Sequence, residues 1–265
     1  MTTTSNQGSS DQLLVFGDDG SSAADTAWEW INSHSWPGWR VEVVTASEPS
    51  LAAPTVDDDP VAVDWDPPKR RETRPSSEIA AVRHVIAASD PRLLLGNRRD
   101  ADLLVIGSRG LSPVRAILLG STTEWLLEQP PAPMAVVRHG GPTRQTLILA
   151  DGSESALTAV DAFVDMPWAA QSDVVVLSVD DGRTDVSTAQ VATLQRLAGG
   201  GIDASVVQAT GRPTAVILER LEKTHPQLVV LGTRGLGGLD RLRLGSTAAA
   251  VIRHGGCTVM VGRYT

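Results

Sequence analysis

Two stretches of the sequence decide the fold: LLVIGSRGL at residues 103–111 and LVVLGTRGL at residues 228–236. Each is an apolar run that ends in glycine, and nine residues separate its second glycine from a third, in Gly120-Ser121-Thr122 and Gly245-Ser246-Thr247. The two copies lie 232 − 107 = 125 residues apart. A second motif is also repeated: Asp19-Gly20-Ser21 occurs again as Asp151-Gly152-Ser153, 151 − 19 = 132 residues later. Self-similarity of this kind indicates a repeat, so the chain is predicted to hold two copies of one domain.

The repeat predicts a domain organisation of a tail at 1–10, a first domain at 11–141 and a second domain at 144–265, joined near Pro142-Thr143-Arg144. The polar start lacks the apolar segment of a signal peptide, and we expect a disordered tail. Residues 48–77 of the first domain form an insert rich in proline and acidic residues, and prolines at this density exclude a helix. The insert's composition favours a solvated or disordered loop, with a lid or partner-binding segment as the alternative.

Apolar runs alternate with helical patterns along each copy, most clearly in the second. We predict strands at 146–150, 174–179, 204–208, 228–231 and 258–261, with helices between them. The runs are continuously apolar, which is typical of parallel strands buried on both faces. The predicted fold class is therefore α/β, with two tandem doubly wound parallel-sheet domains that are Rossmann-like.

Composition excludes several classes of protein. The chain has 265 residues, of which 42% are hydrophobic, and its net charge of −8 argues against binding to duplex nucleic acid. Cys257 is the only cysteine, so no disulfide forms within one chain, and a reducing cytoplasmic location is expected. No run of about 18 apolar residues occurs, so no membrane span is expected. The five histidines do not pair at the spacing of metal ligands.

The glycine motifs predict a ligand site at the carboxyl edge of each sheet, where ligands of open parallel sheets bind. Gly107 and Gly232 each end a strand, and a glycine there would let the backbone approach a ligand without a Cβ in the way. Gly120-Ser121 and Gly245-Ser246 each begin a helix, whose unpaired N–H groups and partial positive charge suit a phosphate. The alternative for Ser121 is a structural capping box with Glu124.

Two pairs of polar residues accompany these motifs. Asp19 and Asp151 end the first strand of each copy and could accept hydrogen bonds from a ribose hydroxyl or a base amine. The alternative is that each caps the next helix or makes the Asp-Gly turn. Arg109 and Arg234 lie inside the glycine loops, where they are either counter-charges for phosphate or ordinary surface arginines.

The complete pattern Gly-x2-Gly-x9-Gly-Ser, present twice, resembles the universal stress protein family in tandem form. In that family the motif marks members that bind ATP, so the resemblance implies an adenine nucleotide alpha hydrolase-like fold and ATP as ligand, with Mg²⁺ or Mn²⁺ held mainly by the phosphates. It implies binding residues in two sets, which are Asp151, Val179, Leu231, Gly232, Gly235, Gly245, Ser246 and Thr247 in the second domain, and Asp19, Ala46, Ile106, Gly107, Gly110, Gly120, Ser121 and Thr122 in the first.

The resemblance also implies partners and a role. Members of the family pair their last strands, so the two domains of a tandem chain would pair within the molecule, and a homodimer is a further expectation. No nucleic acid or membrane partner is expected. The leading hypothesis is an ATP-dependent sensor or regulator in stress response, acting on a protein partner that the sequence does not identify. The alternatives are a slow ATPase or phosphoryl-transfer enzyme, and a scaffold of the same fold that binds no nucleotide.

The two copies differ in charge near the proposed sites. The first has Asp18 beside Asp19 and has Asp90 at a helix start, and both would add negative charge near a polyphosphate. The second has the glycine-rich loop Gly235-Leu-Gly237-Gly238. On these grounds the second domain is predicted to bind nucleotide at least as well as the first.

Overall fold

The structure, a computed structural model, describes residues 12–46, 70–109, 119–182, 186–234 and 244–263. The predicted tail, the insert as far as residue 69, and the loops that hold Gly110 and Gly235 lie outside the described residues. The strands are β1 (Leu13–Gly17), β2 (Arg40–Ala46), β3 (Ala81–Ala87), β4 (Leu103–Gly107), β5 (Met134–Val137), β6 (Gln145–Leu149), β7 (Asp173–Asp180), β8 (Ala204–Thr210), β9 (Leu228–Leu231) and β10 (Thr258–Val261). The helices are α1 (Ser22–Asn32), α2 (Pro91–Gly96), α3 (Ser121–Glu128), α4 (Glu154–Val164), α5 (Val186–Gly199), α6 (Pro213–Thr224) and α7 (Ser246–His254). Among these described helices none is long and apolar enough to cross a bilayer.

The described strands form one sheet in the order β3-β2-β1-β4-β5-β10-β9-β6-β7-β8. All neighbouring pairs are parallel except β5 and β10, which are antiparallel with Val136 opposite Val259. The first half of the sheet (β1–β5, the first domain) therefore meets the second half (β6–β10, the second domain) through their last strands, as the resemblance implied. The fold class predicted from the sequence is confirmed.

Strand order reverses once in each half, between β1 and β4 and between β6 and β9. At such a reversal the connections leave in opposite directions and open a crevice at the carboxyl ends of the two strands. Because β5 and β10 are antiparallel, the carboxyl edge of the second half lies on the same side of the sheet as the amino edge of the first. The two crevices therefore open at opposite edges of the molecule.

A layer of helices covers each face of the sheet. One core contains residues of α1, α4 and α5, including Phe163 and Trp28, and the other contains residues of α2, α3, α6 and α7, including Leu126 and Ile252. Full burial of an apolar side chain of this size contributes about 1.5–3 kcal/mol. The helices that follow β1 and β6 begin in the same way, with Ser21 Oγ accepting from Ala24 N and Ser153 Oγ accepting from Ala156 N, each at 3.2 Å.

The end of the insert and the three residues after it, together residues 70–80, lie along α1 as a segment that we call the strap. Trp28 Nε1 donates to Glu72 O at 3.0 Å, Trp36 N donates to Ser77 O at 2.7 Å, and Ser77 is fully buried. A short 3₁₀ turn, Pro75–Ser77, lies in the strap. Most of residues 70–77 are exposed, as expected for a solvated loop, while tryptophan and backbone partners on and beside α1 hold this segment in place.

A buried histidine connects α1 to the link between the two domains. His34 Nδ1 donates to Trp30 O at 2.7 Å, and its Nε2 accepts from Thr143 N at 2.9 Å. The Trp168 ring of the second domain lies 4.3 Å from the imidazole, centroid to centroid. A ring nitrogen that accepts a hydrogen bond carries no proton, so this arrangement requires neutral His34.

We expect His34 to make the free energy of unfolding fall between about pH 6.5 and pH 4. Burial lowers the pKa of His34 to about 4, whereas an unfolded chain has the ordinary value near 6.5. In this window the unfolded state binds more protons, so stability decreases as the pH falls, with a slope approaching about 1.4 kcal/mol per pH unit. Urea unfolding of the unmodified chain and of His34→Gln at several pH values measures the contribution of His34 to the free energy of unfolding. A stability difference between the two that stays constant from pH 7 to pH 4.5 would contradict the assignment.

Candidate functional site

The crevice between β1 and β4 holds a cavity of about 540 Å³, within the range of small-molecule sites. Every described residue of the first predicted set lines it, namely Asp19, Ala46, Ile106, Gly107, Gly120, Ser121 and Thr122. Gly110 lies outside the described residues. The sequence therefore identified residues from four separate segments that the fold brings to one cavity.

Part of the apolar wall was not predicted. Val44 of β2 and Leu94 and Leu95 of α2 also line the cavity, with Pro91 at the start of that helix. The sequence could have predicted α2, because Pro91 corresponds to Pro213, which begins α6 in the second domain. The cavity consequently combines an apolar side with a polar end.

The polar end of the cavity is the start of α3. Gly120 is the N-cap, with φ −65° and ψ 148°, and no described side chain caps the helix. Gly245 begins α7 with nearly the same backbone, φ −60° and ψ 148°, and again without a described side-chain cap. The first N–H groups of a helix have no partner within it, so both starts retain donors suited to an anion.

The alternative reading of Ser121 as half of a capping box is wrong. Ser121 is the first residue inside α3 and not its N-cap, so its hydroxyl stands at the exposed start of the helix. Glu124 does not bond back to it but lies 3.4 Å from Arg253 Nη2 of the second domain.

The first glycine of each motif is required by helix packing. A Cβ on Gly107 would lie 2.7 Å from the backbone carbonyl of Ala23 in α1. A Cβ on Gly232 would lie 2.5 Å from Ser155 Oγ and 2.7 Å from Ala156 N in α4. These distances are too short for real Cβ contacts, so helix packing alone requires both glycines, and Gly107 also lines the cavity.

Asp19 and Asp151 both make the turn that leads into the next helix. Asp19 Oδ1 accepts from Ser21 N at 3.0 Å, and Asp151 Oδ1 accepts from Ser153 N at 2.9 Å. Of the two structural alternatives for these aspartates, the turn is present, as an Asx turn, whereas the N-caps of the following helices are Ser21 and Ser153. In the first domain this turn holds the exposed Asp19 at the rim of the cavity.

Asp18 does not add negative charge to the cavity, because the strap neutralises it. Arg71 Nε and Nη2 bind the two oxygens of Asp18, each at 2.7 Å, in a forked ion pair, and Asp18 is only 4% exposed. Hydrogen bonding to Asp18 raises the pKa of Arg71. The negative charge that the sequence placed near the site is therefore paired within the chain, by a cation 53 residues away in sequence.

Asp90 is also engaged. Its Oδ1 accepts from Arg92 N at 2.8 Å as the N-cap of α2, and its carboxylate binds the Arg92 guanidinium. Hydrogen bonds from Arg92 lower the pKa of Asp90. Both acidic residues that distinguish the first domain are therefore paired with arginines in the folded chain, and the ranking of the two domains stays a prediction.

In the second domain, fewer of the predicted residues line one cavity within the described segments. Ser246 and Thr247 line an open cleft with Asp180, Arg212 and Thr214, and Thr214 Oγ1 lies 3.2 Å from Thr247 Oγ1. Five other predicted residues lie outside the lining of this cleft, at the turn after β6, in β7, at the end of β9 and just before α7: Asp151, Val179, Leu231, Gly232 and Gly245. Gly235 lies outside the described residues. The cleft lies towards β8, on one side of the crevice between β6 and β9.

The two loop arginines differ. Arg109 is exposed and lines the cavity of the first domain. Arg234 is partly buried, and its Nη2 donates to Glu128 O of α3, in the other domain, at 2.9 Å. Arg109 thus lies at the cavity of its own domain, whereas the Arg234 guanidinium lies at the end of a helix of the other domain.

We expect Gly107→Ala and Gly232→Ala each to destabilise the fold by about 1–3 kcal/mol, because the new Cβ meets helix atoms that cannot move independently. Gly199→Ala is the matched control: it lies at the end of α5 with open space around its Cα, and its replacement should be neutral or slightly stabilising. Urea unfolding without nucleotide measures all three. Stability equal to that of the unmodified chain in both motif variants would contradict the packing role.

Comparison with known proteins matches the repeat and the fold. The model of the universal stress protein family matches residues 12–138 and 184–263. A universal stress protein of Mycolicibacterium smegmatis is 30% identical over 194 residues, which are 65% of this chain and 65% of that protein. Universal stress protein YxiE of Bacillus subtilis is 26% identical over 143 residues, 44% of this chain and 97% of that protein. The chain thus covers slightly less than two thirds of the M. smegmatis relative.

The crystal structure of a universal stress protein from Archaeoglobus fulgidus shows the same arrangement of elements. It superposes with a TM-score of 0.68 at 18% identity, over 96% of this chain and 99% of that one. At this identity the likeness concerns the fold. Because the family model matches segments in both halves of the sheet and more than half of all residues, the chain belongs to the universal stress protein family.

Proposed function

We propose that this chain binds ATP and acts as a nucleotide-dependent sensor or regulator in stress response. The observation that carries the proposal is the cavity of the first domain, which brings an apolar wall, a carboxylate and an uncapped helix start to the carboxyl edge of the sheet. This is the combination that a nucleotide requires for its base, ribose and phosphates.

Each part of the nucleotide has a candidate partner in the first domain. Ala46, Leu95 and Ile106 offer apolar surface to the base, and Asp19 offers a carboxylate to a ribose hydroxyl. The backbone N–H groups at the start of α3, with the hydroxyl of Ser121, suit the phosphates. Arg109, which also lines the cavity, would add positive charge there.

The divalent ion in this proposal is Mg²⁺ or Mn²⁺ held mainly by the phosphates. No group of three His, Cys, Asp or Glu side chains that could hold a metal occurs in the described segments. The two carboxylates that line the first cavity are both engaged, Asp18 with Arg71 and Asp19 with the turn. The ion would neutralise phosphate charge and leave the binding itself to the backbone and hydroxyl donors.

The engaged carboxylates favour binding over turnover. Phosphoryl transfer requires a group that positions the attacking nucleophile and further ligands for the metal. Asp18 is tied into a buried ion pair, and Asp19 is tied into its turn by one oxygen. We therefore propose a binding protein in which occupancy stabilises one conformation and thereby alters a partner contact.

The second domain is proposed to bind a second ATP through Asp151, Val179, Leu231 and the glycine motif. The start of α7 matches the start of α3 in backbone conformation and in the absence of a described cap. The proposed setting is the cytoplasm, where the single buried thiol of Cys257 would remain reduced. A homodimer and a regulated protein partner belong to the same proposal.

We expect Ser121→Glu to weaken ATP binding at the first domain by at least about tenfold, because a carboxylate at the start of α3 repels the phosphates at short range. Ser246→Glu should do the same at the second domain. Isothermal titration calorimetry with Mg-ATP should then fit two sites for the unmodified chain and one for each variant.

The matched control for these variants is Ser22→Glu. Ser22 is the exposed first residue of α1, outside the cavity lining, and the equivalent residue of the second domain is already Glu154. This substitution should leave both affinities within about twofold, because an acidic residue at a helix start interacts favourably with the helix dipole. Absence of both an ATP binding isotherm and a thermal shift in the unmodified chain would contradict the proposed function.

A further inference from the structure

The ends of α3 lie at opposite edges of the sheet. Its first residue, Ser121, is at the carboxyl edge of the first domain, in the cavity. Its last residue, Glu128, is near the carboxyl edge of the second domain, because the antiparallel pairing of β5 and β10 turns the two halves in opposite directions. A residue from the glycine motif of the second domain can therefore reach the far end of the helix that begins the first site.

Arg234 makes this contact. Its backbone is held inside its own domain, where its carbonyl accepts from Ser153 Oγ at 3.1 Å and from Ser155 Oγ at 2.6 Å. Its guanidinium leaves that domain, and Nη2 donates to Glu128 O at 2.9 Å. The backbone and the side chain of one residue thus connect the start of α4 to the end of α3.

The end of α3 lacks a cation of its own. The last carbonyl groups of a helix have no partner within it and carry a partial negative charge, which a nearby cation stabilises. The last turn of α3 contains no basic residue and ends in the acidic Glu128. Arg234 supplies the positive charge from the other domain.

The corresponding helix of the second domain, α7, has basic residues near its carboxyl end. The last turn of α7 contains Arg253 and His254. In addition Arg138, which follows β5 of the first domain, donates through Nη2 to Ile252 O at 2.5 Å. Since α7 has basic residues in its own sequence, the dependence on a cation from the other domain is greater for α3.

We propose that Arg234 is a positioning residue for the nucleotide site of the first domain, although it belongs to the glycine motif of the second. It holds the carboxyl end of α3 and, through this short helix, the donors of Ser121 at the start of the helix. This inference rests on the proposed function, because it assigns a residue to the same ATP site.

The alternative is that Arg234 binds phosphate within its own domain, and it predicts the opposite pattern of affinities. To separate the two, Arg234→Gln is combined with Ser246→Glu, which leaves only the first site, or with Ser121→Glu, which leaves only the second. Calorimetry with Mg-ATP should show about a twofold to fivefold weaker first site, as expected for a helix-terminus charge, and an unchanged second site. Arg234→Lys should restore most of the lost affinity because it keeps the charge.

A second readout does not depend on nucleotide. Amide hydrogen exchange of the peptide that covers α3 should be faster in Arg234→Gln than in the unmodified chain, with the α7 peptide unchanged. Arg253→Gln is the control, since its exposed pair with Glu124 contributes little to α3, and it should alter neither the first-site affinity nor the exchange rate.

The outcomes are distinct. Loss of affinity at the second site alone, or unchanged exchange of α3 in Arg234→Gln, overturns the inference. If the unmodified chain binds no ATP, the proposed function fails, and the exchange measurement still decides whether Arg234 supports α3. A weaker first site together with faster exchange of α3 supports it.

Discussion

The antiparallel pairing of β5 with β10 is the constraint on which the rest of the molecule depends. It joins two parallel half-sheets into one sheet and sends their carboxyl edges in opposite directions. Each nucleotide-type crevice therefore opens beside the amino edge of the other domain. Contacts that cross the join, such as Arg234 to Glu128 and Arg138 to Ile252, follow from this geometry, because the helix that starts at one site ends near the other.

Local patterns in the sequence were sufficient for the fold. The apolar runs predicted β9 and β10 with the bounds that the structure has, and a helix between β8 and β9, where α6 lies. The two strands are buried on both faces and α6 begins at a proline, so residues a few positions apart determine these elements. The internal repeat then predicted the domain organisation, and the resemblance to the family implied the pairing of the last strands that the structure shows.

Contacts between distant segments could not be predicted in the same way. The strap places Arg71 on Asp18 and buries Ser77, although the composition of the insert indicated a solvated loop. Nothing local in the sequence pairs a cation at position 71 with a carboxylate at position 18. The packing role of Gly107 was also not predicted, since a glycine needed for helix packing and a glycine needed for ligand approach have the same appearance in a sequence.

The candidate site depends both on local sequence motifs and on contacts between distant segments. The sequence identified one set of the residues that line the first cavity, and the structure adds the apolar wall of Val44, Leu94 and Leu95. It also shows that two acidic residues of this domain, Asp18 and Asp90, are paired with Arg71 and Arg92. The most direct test is peptide-resolved hydrogen exchange of the unmodified chain with and without saturating Mg-ATP. The account predicts slower exchange at the start of α3 and at the turn after β1, where donors would be occupied. Unchanged exchange in both segments at saturating nucleotide would contradict it.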